Sequence, residues 1–192
     1  MSVSLAEKTA TVLDLMSAFE AELNTHARYA AFADKADLDG WHGVASLFRA
    51  IARAEQIHAH NHARAIRRFE AEAHCEIRPV AVKSTLQNLK IALAGEQHEI
   101  DTMYPPFLAD AQAANANSAI RSCTWALEAE RTHARLLREA IELVEEGLIN
   151  DWVGTPQDFY VCAVCGSTPE LPEKEERCPL CNLPREKFEV IR

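Results

Sequence analysis

The chain has 192 residues, 48% of them hydrophobic, and a formal charge of −9, enough to bury a core in one domain or in a medium domain with a small appendage. The acidity runs throughout, with 15 basic and 21 acidic residues up to position 150 and 5 basic and 8 acidic beyond it; no basic patch stands out, which excludes nucleic acid as a partner. Met1-Ser-Val-Ser-Leu-Ala-Glu-Lys carries no apolar export signal, and no apolar run approaches the ~18 residues of a membrane span, so the expectation is a soluble cytoplasmic protein with no membrane partner.

Four periodic segments fill the first 148 positions. In the first, Val12, Leu15, Phe19, Leu23, Ala27 and Ala30 recur at three- and four-residue spacing, and Gly40 stands where a glycine can end a helix. The second runs from about Trp41 through Phe48, Ile51, Ala54, Ala63 and Ile66 to about His74. Pro79 breaks the pattern and a third helix starts at about Val80, with Pro105-Pro106 expected to bend it. Asn115 and Asn117 mark a break before a fourth helix carrying Ile120, Leu127, Leu136, Leu137 and Ile141, which ends near Gly147. This predicts an all-α four-helix bundle over residues 1–148, a linker over 149–158 and a small metal-binding domain over 159–192.

Glu55-x-x-His58 recurs 75 residues later as Glu130-x-x-His133, with Glu22 33 residues before the first copy and Glu96 34 before the second. The chain reads as one helix pair written twice. Residues three apart share a helix face, so each carboxylate and imidazole can point into one cavity. A ferritin-like bundle builds a two-metal site from these parts: a Glu on each of two helices and a Glu-x-x-His on each of the others. With 21 Glu and 8 His about one such pair arises by chance, so the weight lies in the matched positions.

Glu99, one turn past Glu96, adds a fifth carboxylate. Five ionised carboxylates in a core would repel one another and lose their hydration, a cost that two divalent cations relieve. Five charges against two dications leave −1, and exchange of Glu99 for neutral His58 brings the sum to zero, which points to a ligand exchange tied to oxidation state. The donors suit iron or manganese. Glu20, two positions before Glu22, would face about 200° away and reads as a surface carboxylate or one beside the site. His42, His60, His62, His74 and His98 read as surface or hydrogen-bonded groups, with His62, one turn past His58, placed to shape access to the metals.

Cys162-x-x-Cys165, twelve residues, and Cys178-x-x-Cys181 offer four thiolates from two tight turns, a tetrahedral site for zinc or iron. So short a segment cannot hold an apolar core unaided and needs such a staple. Cys75 and Cys123 read as small space-filling residues.

The motifs resemble the rubrerythrin family over nearly the whole chain. Phe19-Glu-Ala-Glu22-x6-Tyr29, Ala54-Glu55-x-x-His58, Gly95-Glu96-x-x-Glu99-x3-Met103-Tyr104-Pro105 and Ala129-Glu130-x-x-His133 follow that family's order and spacing. Tyr160-Val-Cys162-x-x-Cys165-Gly166, Cys178-Pro179-x-Cys181 and Phe188-Glu-Val resemble its rubredoxin-like domain, which favours iron over zinc in the four-cysteine site. The resemblance implies that Glu55 and Glu130 bridge two irons, that Glu22 and Glu96 each bind one at its end, and that His133 ligates the iron next to Glu96. It makes Glu99 and His58 the alternating, catalytic ligands, Glu99 in the diferric and His58 in the diferrous state. Tyr29 and Tyr104 would hydrogen-bond ligand carboxylates. Tyr29 lies on the face of Glu22, whereas Tyr104 lies off the ideal face.

A tetrathiolate iron passes one electron at a time and a coupled pair holds two, the number needed with two protons to turn hydrogen peroxide into two waters. The expected function is a peroxide reductase in oxidative-stress defence, refilled through the rubredoxin-like iron. No nucleotide-binding glycine motif occurs, so electrons from NAD(P)H must arrive through a separate reductase or redox protein. The rivals are a ferritin-like iron-oxidising and storage protein, and a diiron oxidase with a structural zinc tail. Helices of about 30 residues reach ~45 Å. A tail leaving one end would then lie far from a mid-bundle site, and this suggests a homodimer, head to tail, or a higher assembly.

Overall fold

The structure is a computed structural model and describes residues 5–147, 152–169 and 176–192. Helices α1 (Leu5–Leu38), α2 (His42–Ile66), α3 (Thr85–His98), α4 (Tyr104–Ala113) and α5 (Asn117–Glu145) build four rods, the third made of α3 and α4 joined by a π-helical segment at Glu99–Met103. Strands β1 (Phe159–Cys162) and β2 (Phe188–Ile191) pair antiparallel, Phe159 opposite Ile191 and Cys162 opposite Phe188. The fold is an all-α ferritin-like bundle with a small cysteine-rich appendage.

Local chemistry sets the rod ends. After α1 the chain turns through Gly40 at φ +80, with Trp41 N–H bonded to Ala36 O at 2.8 Å and Gly40 N–H to Asp37 O at 3.0 Å, a Schellman closure. Asn115 at φ +48 closes α4 in the same way, its N–H on Gln112 O and that of Ala116 on Ala111 O. Two boundaries differ from the sequence reading. The second rod stops at Ile66 and a single 3-10 turn at Arg67–Phe69, not at His74, and the third begins at Thr85, not Val80. The start is fixed by a capping box in which Ser84 and Gln87 serve each other's backbone N–H groups, a signal the Pro79 break overshadowed.

The buried stripe of α1 is Thr11, Leu15, Ala18, Glu22, Thr25, Tyr29, Phe32 and Ala36, so Glu22 lies on the inward face and Glu20 does not. Two apolar clusters bracket the middle of the bundle. One gathers Tyr29, Phe32, Phe48 and Leu137, with ring centroids 5.5–6.0 Å apart among the three aromatics, and the other Leu15, Ile66, Tyr104 and Leu127. Each aromatic pair adds about 1 kcal/mol beyond its burial, which stiffens the first cluster's end of a polar centre.

Of the expected linker, residues 149–151 lie outside the described residues. The rest packs on the bundle: Trp152 sits over Gly43, Gly154 N–H bonds to Gly40 O, and Gln157 N–H to Ser46 Oγ. From there the appendage climbs the flank of α2. Val161 packs on Ala50, Ala54 and Ile57, Arg53 meets Glu189 through two bonds of 2.6 and 2.8 Å, and Asn61 donates to Val164 O at 2.8 Å. The expectation that the tail lies too far from its own chain's site is therefore overturned. The 18 helical steps from Gly43 to Asn61 in α2 rise ~27 Å, and the tail covers that rise itself.

Candidate metal centre

Seven charged side chains meet between the two apolar clusters, each 6% exposed or less: Glu22, Glu55, His58, Glu96, Glu99, Glu130 and His133. Their ligand atoms form two groups, Glu22–Glu55–His58–Glu130 and Glu55–Glu96–Glu130–His133, each within 4.8 Å of one another. Glu55 and Glu130 belong to both, the arrangement of two bridging carboxylates. His58 Nδ1 lies 3.0 Å from Glu55, 3.1 Å from Glu130 and 3.6 Å from Glu22. His133 Nδ1 lies 2.7 Å from Glu130 and 3.4 Å from both Glu55 and Glu96. Glu99 is buried beside them but stands outside both groups.

The residues fit two cations. Glu22 Oε2, Glu55 Oε1, Glu96 Oε2, Glu99 Oε2 and Glu130 Oε1 are buried without a hydrogen-bond partner; among the described residues the only other such side-chain oxygen is Asp14 Oδ2. An orphaned buried acceptor costs about 1–3 kcal/mol, so five together are tolerable only where cations occupy the space between them.

Burial dominates the acid–base character. It pushes Glu55 and Glu99 well above the usual carboxylate range and Glu96 up to about 8, with neighbouring carboxylates adding to it. Burial opposes charge on His58 and His133, but the carboxylates, Glu130 foremost, outweigh it and raise both imidazoles. Those imidazoles in turn hold Glu130 at about 2 despite its burial. Without cations the cluster thus stores protons at neutral pH, and cations entering must displace them.

Two tyrosines brace the carboxylates. Tyr29 donates to Glu96 Oε1 at 2.6 Å. Tyr104 donates to Glu22 Oε1 although it lies off the ideal α-helical face. The expected proline bend is not the reason: five π-helical residues give the rod one extra residue per turn there, with Tyr104 N–H reaching back five positions to Glu99 O. Pro105 and Pro106 follow as the second and third residues of α4, in its first turn, where missing N–H groups cost little.

Sequence reasoning missed the partners behind these groups. Of the two alternatives read for His62, surface or hydrogen-bonded, the structure shows the second: it is fully buried, with Nε2 3.0 Å from Tyr104 Oη and Nδ1 2.9 Å from Ser122 Oγ. Because Tyr104 donates to Glu22, His62 must donate from Nε2 and accept at Nδ1 from the Ser122 hydroxyl. Its spacing of four from His58 was the available signal. Glu20 lies apart and meets Arg78, His42 meets Asp37, and His26 meets Ala52 O. Gly95 provides no special clearance, since a Cβ there would lie 3.5 Å from Tyr29 Oη, an ordinary contact.

In the appendage, Cys162, Cys165, Cys178 and Cys181 bring their sulfurs within 4.8 Å of one another. Sγ pairs at 3.4 and 3.6 Å are far beyond a disulfide and near the ~3.8 Å edge of a tetrahedron with 2.3 Å metal–sulfur bonds. The loop leaving this site runs into the bundle site. Gly166, at φ +79, lies so close that a Cβ on it would stand 2.3 Å from His58 Nε2, and Thr168 Oγ1 is 3.2 Å from His133 Nε2. The remaining open side holds a cavity of about 640 Å³ between α1, α3 and the loop before α3, reached by Glu99, Gly95, Arg28 and Met103.

A four-helix bundle with a shared carboxylate–imidazole centre and an appended four-thiolate ribbon defines a ferritin-like diiron protein with a rubredoxin-like domain. The family described as rubrerythrin matches residues 14–141, and its rubredoxin-like domain matches residues 160–189. The chain belongs to the rubrerythrin family. It is 35% identical over 190 residues to Rubrerythrin-2 of Clostridium acetobutylicum, covering 97% of this chain and 100% of that one. Nigerythrin of Nitratidesulfovibrio vulgaris is 33% identical over 183 residues, 93% and 85% of the two chains. A structure of nigerythrin in a fully reduced, all-ferrous state superposes with a TM-score of 0.81 at 31% identity, covering 94% of this chain and 86% of that one. No helix among the described residues is long and apolar enough to cross a membrane.

Proposed function

We propose that this protein reduces hydrogen peroxide to water, with electrons relayed from the four-cysteine iron. One observation carries the reading: the loop that leaves Cys165 touches the histidines of both ligand groups through Gly166 and Thr168. Iron storage needs no dedicated electron relay, and a purely structural zinc ribbon needs no contact with His58.

The two irons, when bound, supply the two electrons that cleave the O–O bond, and two protons complete two waters. Glu55 and Glu130 would bridge them, Glu22 and Glu96 would hold the ends, and His133 would ligate on the Glu96 side. His58 occupies the other group while Glu99 stands aside next to the 640 Å³ cavity, the arrangement expected for the reduced protein and the side from which peroxide would arrive. Tyr104 and Tyr29 keep Glu22 and Glu96 oriented and hold protons beside them. Electrons would come ultimately from NAD(P)H through a separate redox protein. A head-to-tail dimer could make the same contact between chains, but the site does not require it.

Anaerobic stopped-flow tests this. The fully reduced protein is mixed with peroxide and the colour of the oxidised four-thiolate iron is followed. It should return promptly in the wild type and in Glu20→Ala, and at least about a hundredfold more slowly in Glu55→Ala. Equal rates in all three would sink the proposal.

A further inference from the structure

The surface of this acidic chain contains one strongly basic recess that its sequence does not announce. A cavity of about 580 Å³ opens between α2 and α5, and its wall carries Arg64, Arg67, Arg68 and Arg121 with the indole of Trp125 and the side chain of Val164. Among the described residues no carboxylate lines it, and none of these four guanidiniums has an Asp or Glu within ion-pair distance. Arg64, Arg67 and Arg68 stand at the end of α2, where helix carbonyls welcome positive charge. Arg121 stands five residues into α5, near a helix start that disfavours it, so the dipole does not explain the cluster. It is held by stacking on Trp125, 5.6 Å from the ring centroid.

The recess borders the four-thiolate site. Val164 lies between Cys162 and Cys165 and is 38% exposed, and Trp125 also packs against the cysteine cluster. Four arginines with no carboxylate partner among the described residues of a −9 protein, beside the exposed edge of an electron-carrying loop, match the requirements of a transient redox contact: charge complementarity for encounter and a short path once docked.

We propose that this recess is the docking surface for a small acidic protein that carries one electron, whose carboxylates meet Arg64, Arg67, Arg68 and Arg121 and whose redox centre comes to rest against Val164. The carrier is oxidised by one electron and the tail iron reduced from ferric to ferrous, with no bond made or broken. This rests on the electron-relay role of the tail proposed above, but not on peroxide as the oxidant.

The test separates binding from turnover. The iron-loaded full chain and an acidic rubredoxin, both oxidised so that no electron flows, are titrated by calorimetry at 50 and 200 mM salt. Affinity should fall about tenfold or more with salt, and again about tenfold or more in Arg67→Glu/Arg68→Glu, with a smaller loss in the Gln double variant. Arg138→Glu, a remote exposed arginine of α5, should bind as the wild type. Binding indifferent to salt or unchanged in the double variants overturns the proposal. So does binding of inorganic phosphate or NADPH that vanishes in the double variants while the carrier still binds, since the recess would then be a small-anion site. Carrier binding as expected together with failure of the peroxide experiment would refute only the peroxide reading.

Discussion

Glu20 and Glu22 stand two positions apart in α1 and have opposite fates, one paired with Arg78 at the surface, the other fully buried among carboxylates. A burial so costly is tolerable only because each group is braced. Tyr104 accepts from His62 and donates to Glu22, so Tyr104→Phe strands both neighbours. It should lower stability by about 1–3 kcal/mol, read by denaturant unfolding, and loosen metal at the Glu22 end. Asp14 shows the same physics away from the metals. Burial and nearby Asp110 raise it to about 6 from 3.8. Because the folded-state value lies above the unfolded one, stability is lost as pH rises from about 4 to 6 and stays level above. Asp14→Asn should therefore melt with the wild type at pH 4 and a few degrees higher at pH 7, discounting for partial exposure.

At the scale of elements, the rods and the ligand spacing were legible and the inward faces only partly so. Of the apolar stripe read in α1, only Leu15 is buried; the true face runs through Thr11, Glu22 and Thr25, because a bundle that encloses ions turns polar residues inward and defeats a hydrophobic period. The π segment was illegible, since nothing in Glu99–Met103 marks an inserted residue except a tyrosine that seemed misplaced. The docking of the ribbon on α2 was hidden too, as it depends on residues 100 and more apart, such as Arg53 with Glu189 and Asn61 with Val164. Gly166 had a local reason to be glycine, its left-handed φ, which concealed the second one, its contact with His58. Gly166→Ala should leave four thiolates to bind iron with an unchanged absorption spectrum, yet slow internal electron transfer about tenfold or more, as the loop is forced from His58. Stopped-flow on the half-reduced protein reads this directly.

For the whole molecule, the centre is assembled from all four rods, so cation binding and folding are one equilibrium. Five carboxylate oxygens without hydrogen-bond partners burden the metal-free state. Saturating metal at about a thousand times its dissociation constant contributes about 4 kcal/mol, or roughly 8–16 °C for a chain of this size. Chelation should lower the melting temperature by that order, and remetallation should release protons measurable in a pH-stat, most of them from the raised Glu55, Glu96 and Glu99.

The third rod is also the one whose winding loosens, and Glu99 heads the loosened stretch, which Tyr104 separates from two prolines that cannot tie the backbone down. Everything that must stay fixed hangs from evenly wound helix. On the proposed mechanism the one carboxylate that changes place is mounted where the spring has slack, so its journey would ask little of the frame around it.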